Sequence, residues 1–274
     1  MIADVLDDYA REHAPDTAAP DRIGYCIDAL LSFWGDATLD SVRTETCKRY
    51  HRERGVADGT VRRELGVLRA ATGHAVEAGR VTNPPKFWLP PAPPPRDRWL
   101  TRDEVAALLR AARTSDKARH HLPLFILIGL YTGARKEAIL SLRWQQIDLV
   151  RGRINFNQAG RVQTEKRRPV IPIPRGLWWF LRKVHARAAS PYVIHRNGER
   201  LADVKKSFKA ACRRASIEDA SPHTLRHTAG TWMAQRGVPL WQIAGWLGHS
   251  QQRTTDLYLH HHPEFLEDAR AALD

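Results

Sequence analysis

Ser221-Pro222-His223-Thr224-Leu225-Arg226-His227-Thr228, followed by Leu247-Gly248-His249 and, nine residues after that histidine, by Tyr258, places one arginine, three histidines and a phenol in a single short segment. A phenol with a pKa near 10 is ionised to only about one part in a thousand at neutral pH. It needs a cationic, hydrogen-bonding neighbourhood before it can attack anything. A phosphate needs the same neighbourhood to accept that attack, because charge builds on its oxygens in the transition state and fixed donors must meet it there. One cluster serves both needs, so the segment points to covalent chemistry on a phosphodiester.

The charge of the chain agrees. Its 274 residues carry 43 Lys and Arg against 30 Asp and Glu, a formal net charge of +13. The excess is uneven: residues 1–40 hold two basic and nine acidic side chains, whereas residues 94–274 hold 31 basic and 16 acidic. The positive field coincides with the chemistry, and a field of one sign attracts a polyanion more readily than a small acidic metabolite. Cys26, Cys47 and Cys212 are far apart and lack Cys-x-x-Cys spacing, which argues against a disulfide framework or a zinc knuckle. The acidic start, Met1 to Asp8, is unlike a secretory leader, and the longest apolar run, Leu122 to Leu130, is too short to span a bilayer. The expectation is a cytoplasmic protein that does not enter a membrane.

Outward from the cluster, the clearest boundary is Asn83-Pro84-Pro85 through Pro93-Pro94-Pro95, where prolines cannot continue a helix or a central strand. This predicts a helical domain over 1–89, a proline-rich linker over 90–98 and a second domain over 99–274. Thr101 and Glu104 form the pattern of a capping box that opens the second domain. Before the linker, helices are expected over 28–34, 39–53 and 60–78, the last from Val61, Leu65, Leu68, Ala71 and Ala75 at helical spacing. After it, helices are expected over 122–130, 136–143, 177–188, 202–214, 224–236 and 240–247. Residues 153–156 and 169–173 alternate as two strands of a hairpin with a basic turn. The fold class is mainly α with a small antiparallel sheet.

Taken in order, Thr132-Gly133-Ala134-Arg135, Lys166 in the hairpin, His223-x-x-Arg226, Leu247-Gly248-His249-Ser250 and Tyr258 resemble the tyrosine recombinase (phage integrase) family. The region from Thr60 to Pro85 looks like the end of the helical core-binding domain, of the SAM-like type, that precedes such catalytic domains. The resemblance implies a DNA breaking and rejoining enzyme with Tyr258 as nucleophile, forming a 3′-phosphotyrosyl link and a free 5′-hydroxyl. Arg135 and Arg226 would clamp the non-bridging oxygens, His223 and His249 would add donors, His223 could also take the tyrosine proton, and Lys166 would protonate the leaving oxygen. No ATP, metal or other cofactor is implied. The partners implied are double-stranded DNA core sites and three further copies of the chain in a tetramer on DNA.

Several other features bear on function. Arg49, Arg52, Arg62, Arg63 and Arg69 recur along the first-domain helices, and Arg161, Arg167 and Arg168 flank Lys166, which suggests DNA-facing surfaces. Glu137 stands two residues after Arg135, where family members often carry an acid at three. His227 reads as a residue that packs or supports the acting groups rather than one that acts itself. His260-His261-His262 invites a metal reading, but consecutive side chains are expected to diverge. Phe265, Leu266, Ala269 and Leu273 would form one face of a terminal helix able to dock on a neighbouring subunit. Two alternatives stay open: a type IB topoisomerase with a similar residue set, and a DNA-binding regulator without chemistry, motivated by the helix-turn-helix look of Val238 to Ser250.

Overall fold

In a computed structural model of the chain, which describes residues 1–17, 19–94, 97–158, 160, 167–250 and 254–262, the polypeptide divides into two compact units, Met1–Pro95 and Arg96–Asp274.

The described residues of the first unit form helices α1 (Ile2–Glu12), α2 (Pro20–Trp34), α3 (Thr44–Arg54) and α4 (Asp58–Glu77). Helix α1 adds to the helices expected from the sequence, and rests on Ile2, Val5, Leu6 and Tyr9. These four recur at helical spacing and are all buried. The single helix expected over 39–53 is interrupted. Residues Leu39–Ser41 form a 3-10 turn, Val42 is extended and buried, and α3 starts only at Thr44. The break is held by the Thr46 hydroxyl, which donates to the Ser41 carbonyl and accepts from the Arg43 N–H, both at close to 2.8 Å. Helix α4 is the central element, packing on α1 and α2 through Val61, Leu65, Leu68, Ala71 and Ala75. Its buried Glu64 is satisfied by Tyr50 Oη at 2.7 Å and Arg54 at 3.1 Å, as a buried carboxylate requires.

The second unit opens with α5 (Arg102–Arg113). Its capping box forms as read: the Glu104 N–H donates to Thr101 Oγ1, and the Thr101 N–H donates to Glu104 Oε2. Helix α6 (Leu122–Thr132) is apolar on all sides and correspondingly buried, and ends at Gly133, which adopts the left-handed conformation at φ +62. A Cβ there would overlap Leu247 and lie 3.3 Å from the Ala229 Cβ, so both the turn and the packing call for glycine. Helix α7 (Lys136–Leu140) is shorter than expected, because the chain turns at Ser141 into a 3-10 turn, Trp144–Gln146.

The expected hairpin is part of a three-stranded antiparallel sheet of β1 (Ile147–Asp148), β2 (Arg153–Asn155) and β3 (Val170–Pro172), in that spatial order. Ile147, Ile154 and Ile171 align across it and enter the core. A second hairpin, β4 (His195–Arg196) and β5 (Glu199–Arg200), was not anticipated, although its Asn197-Gly198 turn, with both residues at positive φ, is a strong hairpin signal. Helices α8 (Arg175–His185), α9 (Lys205–Arg214), α10 (Thr224–Ala234) and α11 (Leu240–Leu247) and a final 3-10 turn (Asp256–His261) complete the described unit. Helix α10 packs against α6, α11 and the final turn, so the element bearing His223 and Arg226 lies at the centre. Among the described residues, no helix is long and apolar enough to cross a membrane.

Candidate active site

Four chain segments converge around α10. Arg226 lies in the first turn of that helix and is buried, 4% exposed. Its Nη1 donates to the carbonyl of Gly133 at 2.9 Å, one of the groups left over where α6 ends. Its Nη2 is buried with no hydrogen-bond partner among the described residues. A guanidinium nitrogen left unpaired away from water is costly, and an anion is the natural group to satisfy it. Burial, reinforced by Arg135, pulls the Arg226 pKa down to about 10, which still leaves it cationic at neutral pH.

Arg135 caps α7 immediately after the Gly133 turn. Its Nη1 donates to the Arg167 carbonyl at 2.8 Å and its Nη2 to the Gly248 carbonyl at 3.3 Å, so it joins the α6 end, the β3 approach and the end of α11. Glu137, by contrast, pairs with Arg200.

The histidines gather beside these cations. His223 precedes α10 and keeps a solvent-exposed side, yet desolvation of its inner edge, with His227, Arg226 and Arg135 adding, pushes its pKa down to about 4. His249 follows the left-handed Gly248; its Nδ1 is 2.8 Å from Thr255 Oγ1, and burial with the same cationic neighbours takes it down to about 3. Both imidazoles are therefore neutral at pH 7, each with one nitrogen able to accept a proton.

Tyr258 sits in the final 3-10 turn, 2% exposed, packed with Ala234, Ile243 and Leu247. Its ring lies parallel to that of His249, with centroids 6.4 Å apart, and against the bare backbone of Gly230. Burial raises its pKa to about 12, against the opposing pull of Arg226. The polar atom bonded to its hydroxyl is His227 Nδ1, at 3.4 Å, and the His227 ring stands edge-on to His223 at 4.7 Å. His227, expected to pack or to support the acting groups rather than act itself, touches the phenol, as does Gly230, which carries no signal in the sequence. His227 is next to Arg226 in the chain; that adjacency was the available signal.

The structure thus brings Arg135, His223, Arg226, His249 and Tyr258 together from positions more than a hundred residues apart. Lys166 and Arg161 lie outside the described residues, as do residues 263–274 of the expected terminal helix. Arg167 is exposed, while Arg168 is half-buried and donates to Ser141 Oγ at 3.2 Å. In the first unit Arg49, Arg52, Arg63 and Arg69 are exposed, but Arg62 donates to the Pro90 carbonyl at 2.6 Å and helps hold the end of that unit. The segment with a helix-turn-helix look supplies Ile243 and Leu247 to the wall around Tyr258. The divergence expected of His260 and His261 is not observed. Their ring centroids lie 4.0 Å apart, and both Nε2 atoms reach Asp97.

Comparison with known proteins bears on the family and the fold. The profile of the "Phage integrase family" matches residues 98–264. Tyrosine recombinase XerC of Pseudomonas fluorescens is 24% identical over 250 residues, covering 87% of this chain and 81% of that protein. Among solved structures, the Tn1549 transposon integrase in complex with a circular intermediate DNA superposes with a TM-score of 0.82 at 18% identity, covering 100% of this chain and 98% of that one. A lambda integrase tetramer bound to a Holliday junction gives a TM-score of 0.75 at 19% identity, covering 93% of this chain and 76% of that one. These superpositions bear on the fold.

Proposed function

The chain belongs to the phage integrase family of tyrosine recombinases, and from that premise we propose that it cuts and rejoins duplex DNA at specific sites through a 3′-phosphotyrosyl link on Tyr258. The observation that carries this reading is the buried, unpartnered Nη2 of Arg226, held beside Arg135 and within the same cluster as a buried phenol. A scissile phosphate placed there receives the buried Nη2 of Arg226 and further N–H groups of Arg135, fixed planar donors that a lysine ammonium cannot reproduce. The same donors meet the charge that builds on the non-bridging oxygens, a contribution on the order of 3 kcal/mol per donor in comparable sites.

The remaining steps are proton transfers. Tyr258 Oη bonds to phosphorus while the bond from phosphorus to the 5′-oxygen breaks. The phenolic proton passes to a neutral imidazole, for which His223 is the family's candidate and His227 the ring in contact in this structure. Lys166 returns a proton to the departing 5′-oxygen. Attack by a 5′-hydroxyl on the phosphotyrosine reverses the sequence and seals a strand. One phosphodiester is exchanged for another, so the cycle needs no ATP.

Recombination joins two duplexes, and the lambda integrase tetramer on a Holliday junction has a related fold. We take a tetramer on DNA as the working assembly, with the exposed Arg49, Arg52, Arg63, Arg69 and Arg167 on DNA-facing surfaces. The test uses a pool of nicked duplexes with a randomised core, resolved on a denaturing gel. The wild-type chain should form a covalent adduct with selected members, and Tyr258→Phe should bind the same DNA without forming one. An adduct that persists in Tyr258→Phe would remove Tyr258 from the mechanism.

A further inference from the structure

We propose that Asp97, His260 and His261 form a binding site for a divalent transition metal, with Zn2+ as the best-matched ion, and that metal bound there fastens the turn carrying Tyr258 to the start of the second unit. His260 Nε2 is 3.1 Å from Asp97 Oδ2 and His261 Nε2 is 3.4 Å from Oδ1. One ligand atom from each of the three residues lies within 4.8 Å of the other two. Around a tetrahedral ion with bonds of about 2.0 Å, ligand atoms stand about 3.3 Å apart. Each imidazole nitrogen stands at about that edge from one oxygen of the same carboxylate, His260 from Oδ2 and His261 from Oδ1, so small side-chain adjustments bring the three ligands onto one ion. Two imidazoles and one carboxylate suit zinc and its neighbours, whereas magnesium and calcium prefer oxygen throughout.

The surroundings favour a real site. His261 is the less exposed ligand, 14% for its side chain, and its ring stands edge-on to Trp99 at 6.1 Å, which holds it in place. His260 and Asp97 are open to solvent, so an ion enters without unfolding, and the fourth position remains for water. No other cluster of three such ligands occurs among the described residues, and the three thiols, all buried, do not compete.

The consequence for the nucleophile follows from position. His260 lies two residues after Tyr258 in the same 3-10 turn, and Asp97 lies more than 150 residues earlier in the chain. A bound ion joins these two segments directly and holds the turn where Tyr258 is 2% exposed, so cleavage slows when the site is filled. This slowing rests on Tyr258 being the nucleophile; the binding does not.

The test uses full-length protein without a histidine tag and Co2+ as a spectroscopic stand-in. The wild type and Tyr258→Phe should both develop the visible absorption of a tetrahedral ion, and Asp97→Asn or His261→Ala should weaken that binding at least tenfold. Equal affinity and spectra in all four proteins would overturn the site. In the adduct assay, Zn2+ should slow the wild type at least tenfold, reversibly with chelator, and slow Asp97→Asn and His261→Ala much less. Equal slowing of all three, or none in the wild type, would overturn the fastening while leaving the catalytic proposal untouched.

Discussion

Replacing Gly230 by alanine probes the nucleophile without touching any polar group. Gly230 lies within α10 with an ordinary helical backbone, so alanine costs nothing in conformation and favours the helix by about 0.5–1 kcal/mol. The cost falls on Tyr258. A Cβ at this position would be 2.7 Å from both Cε1 and Cε2 of its ring and closer still to Cζ. Carbon atoms rest at about 3.5–4.0 Å, so the ring must retreat by about 1 Å. A displacement of that size from reacting geometry costs roughly a hundredfold in rate, or about 2.7 kcal/mol. The assay is single-turnover adduct formation at saturating DNA, paired with anisotropy for binding and urea denaturation for stability. The expected result is a loss of roughly a hundredfold in adduct rate with unchanged DNA affinity, and a stability loss of about 1–3 kcal/mol from crowding the buried ring. Gly73→Ala is the control, since a Cβ there meets nothing within 4 Å. It should show the helix benefit and full activity. An adduct rate for Gly230→Ala within threefold of the parent, or above it, refutes the claim that cleavage requires Tyr258 seated against this backbone.

Arg226→Lys keeps the charge but loses the planar fork, and should reduce adduct formation by about a hundredfold or more with little change in binding; near-normal rates would remove Arg226 from the clamp. Stability should also depend on pH through His249. Its folded pKa of about 3 lies below an unfolded value near 6.5, so its contribution is complete above pH 6.5. It then falls as the pH drops toward 3 and only the unfolded chain takes up the proton. At pH 5 the loss is about 1–2 kcal/mol, readable as a lower urea midpoint, and His249→Gln should flatten that dependence. In the first unit, Arg62→Ala should cost about 1 kcal/mol of stability through the lost bond to Pro90. Arg69→Ala should instead leave stability intact and lower the salt slope of DNA binding by about one.

What the sequence made legible were features in which chemistry and local spacing coincide. The capping box at Thr101 and Glu104, the apolar run that became α6, the left-handed stop at Gly133 and the short motifs around Arg135, Arg226, His249 and Tyr258 each carry their meaning within a few residues. What it hid depends on long-range placement. Nothing in the spacing says that Arg226 donates to the Gly133 carbonyl, or that the Tyr258 ring rests on Gly230. The side-by-side rings of His260 and His261 arise because both Nε2 atoms turn to the one carboxylate of Asp97, which lies more than 150 residues earlier in the chain. Two omissions were avoidable. The period of Ile2, Val5, Leu6 and Tyr9 identifies α1, and Asn197-Gly198 marks the β4–β5 hairpin.

The most direct test of the account is the identity of the residue that carries the DNA. Adduct trapped on a nicked, selected core site is digested with nuclease and protease and sequenced by tandem mass spectrometry, with end-labelled strands reporting which side of the nick is joined. The account predicts a nucleotide on the oxygen of Tyr258, attached through its 3′-phosphate, with a free 5′-hydroxyl on the released strand. A nucleotide on any other side chain, or a 5′-phosphate linkage to Tyr258, would contradict it.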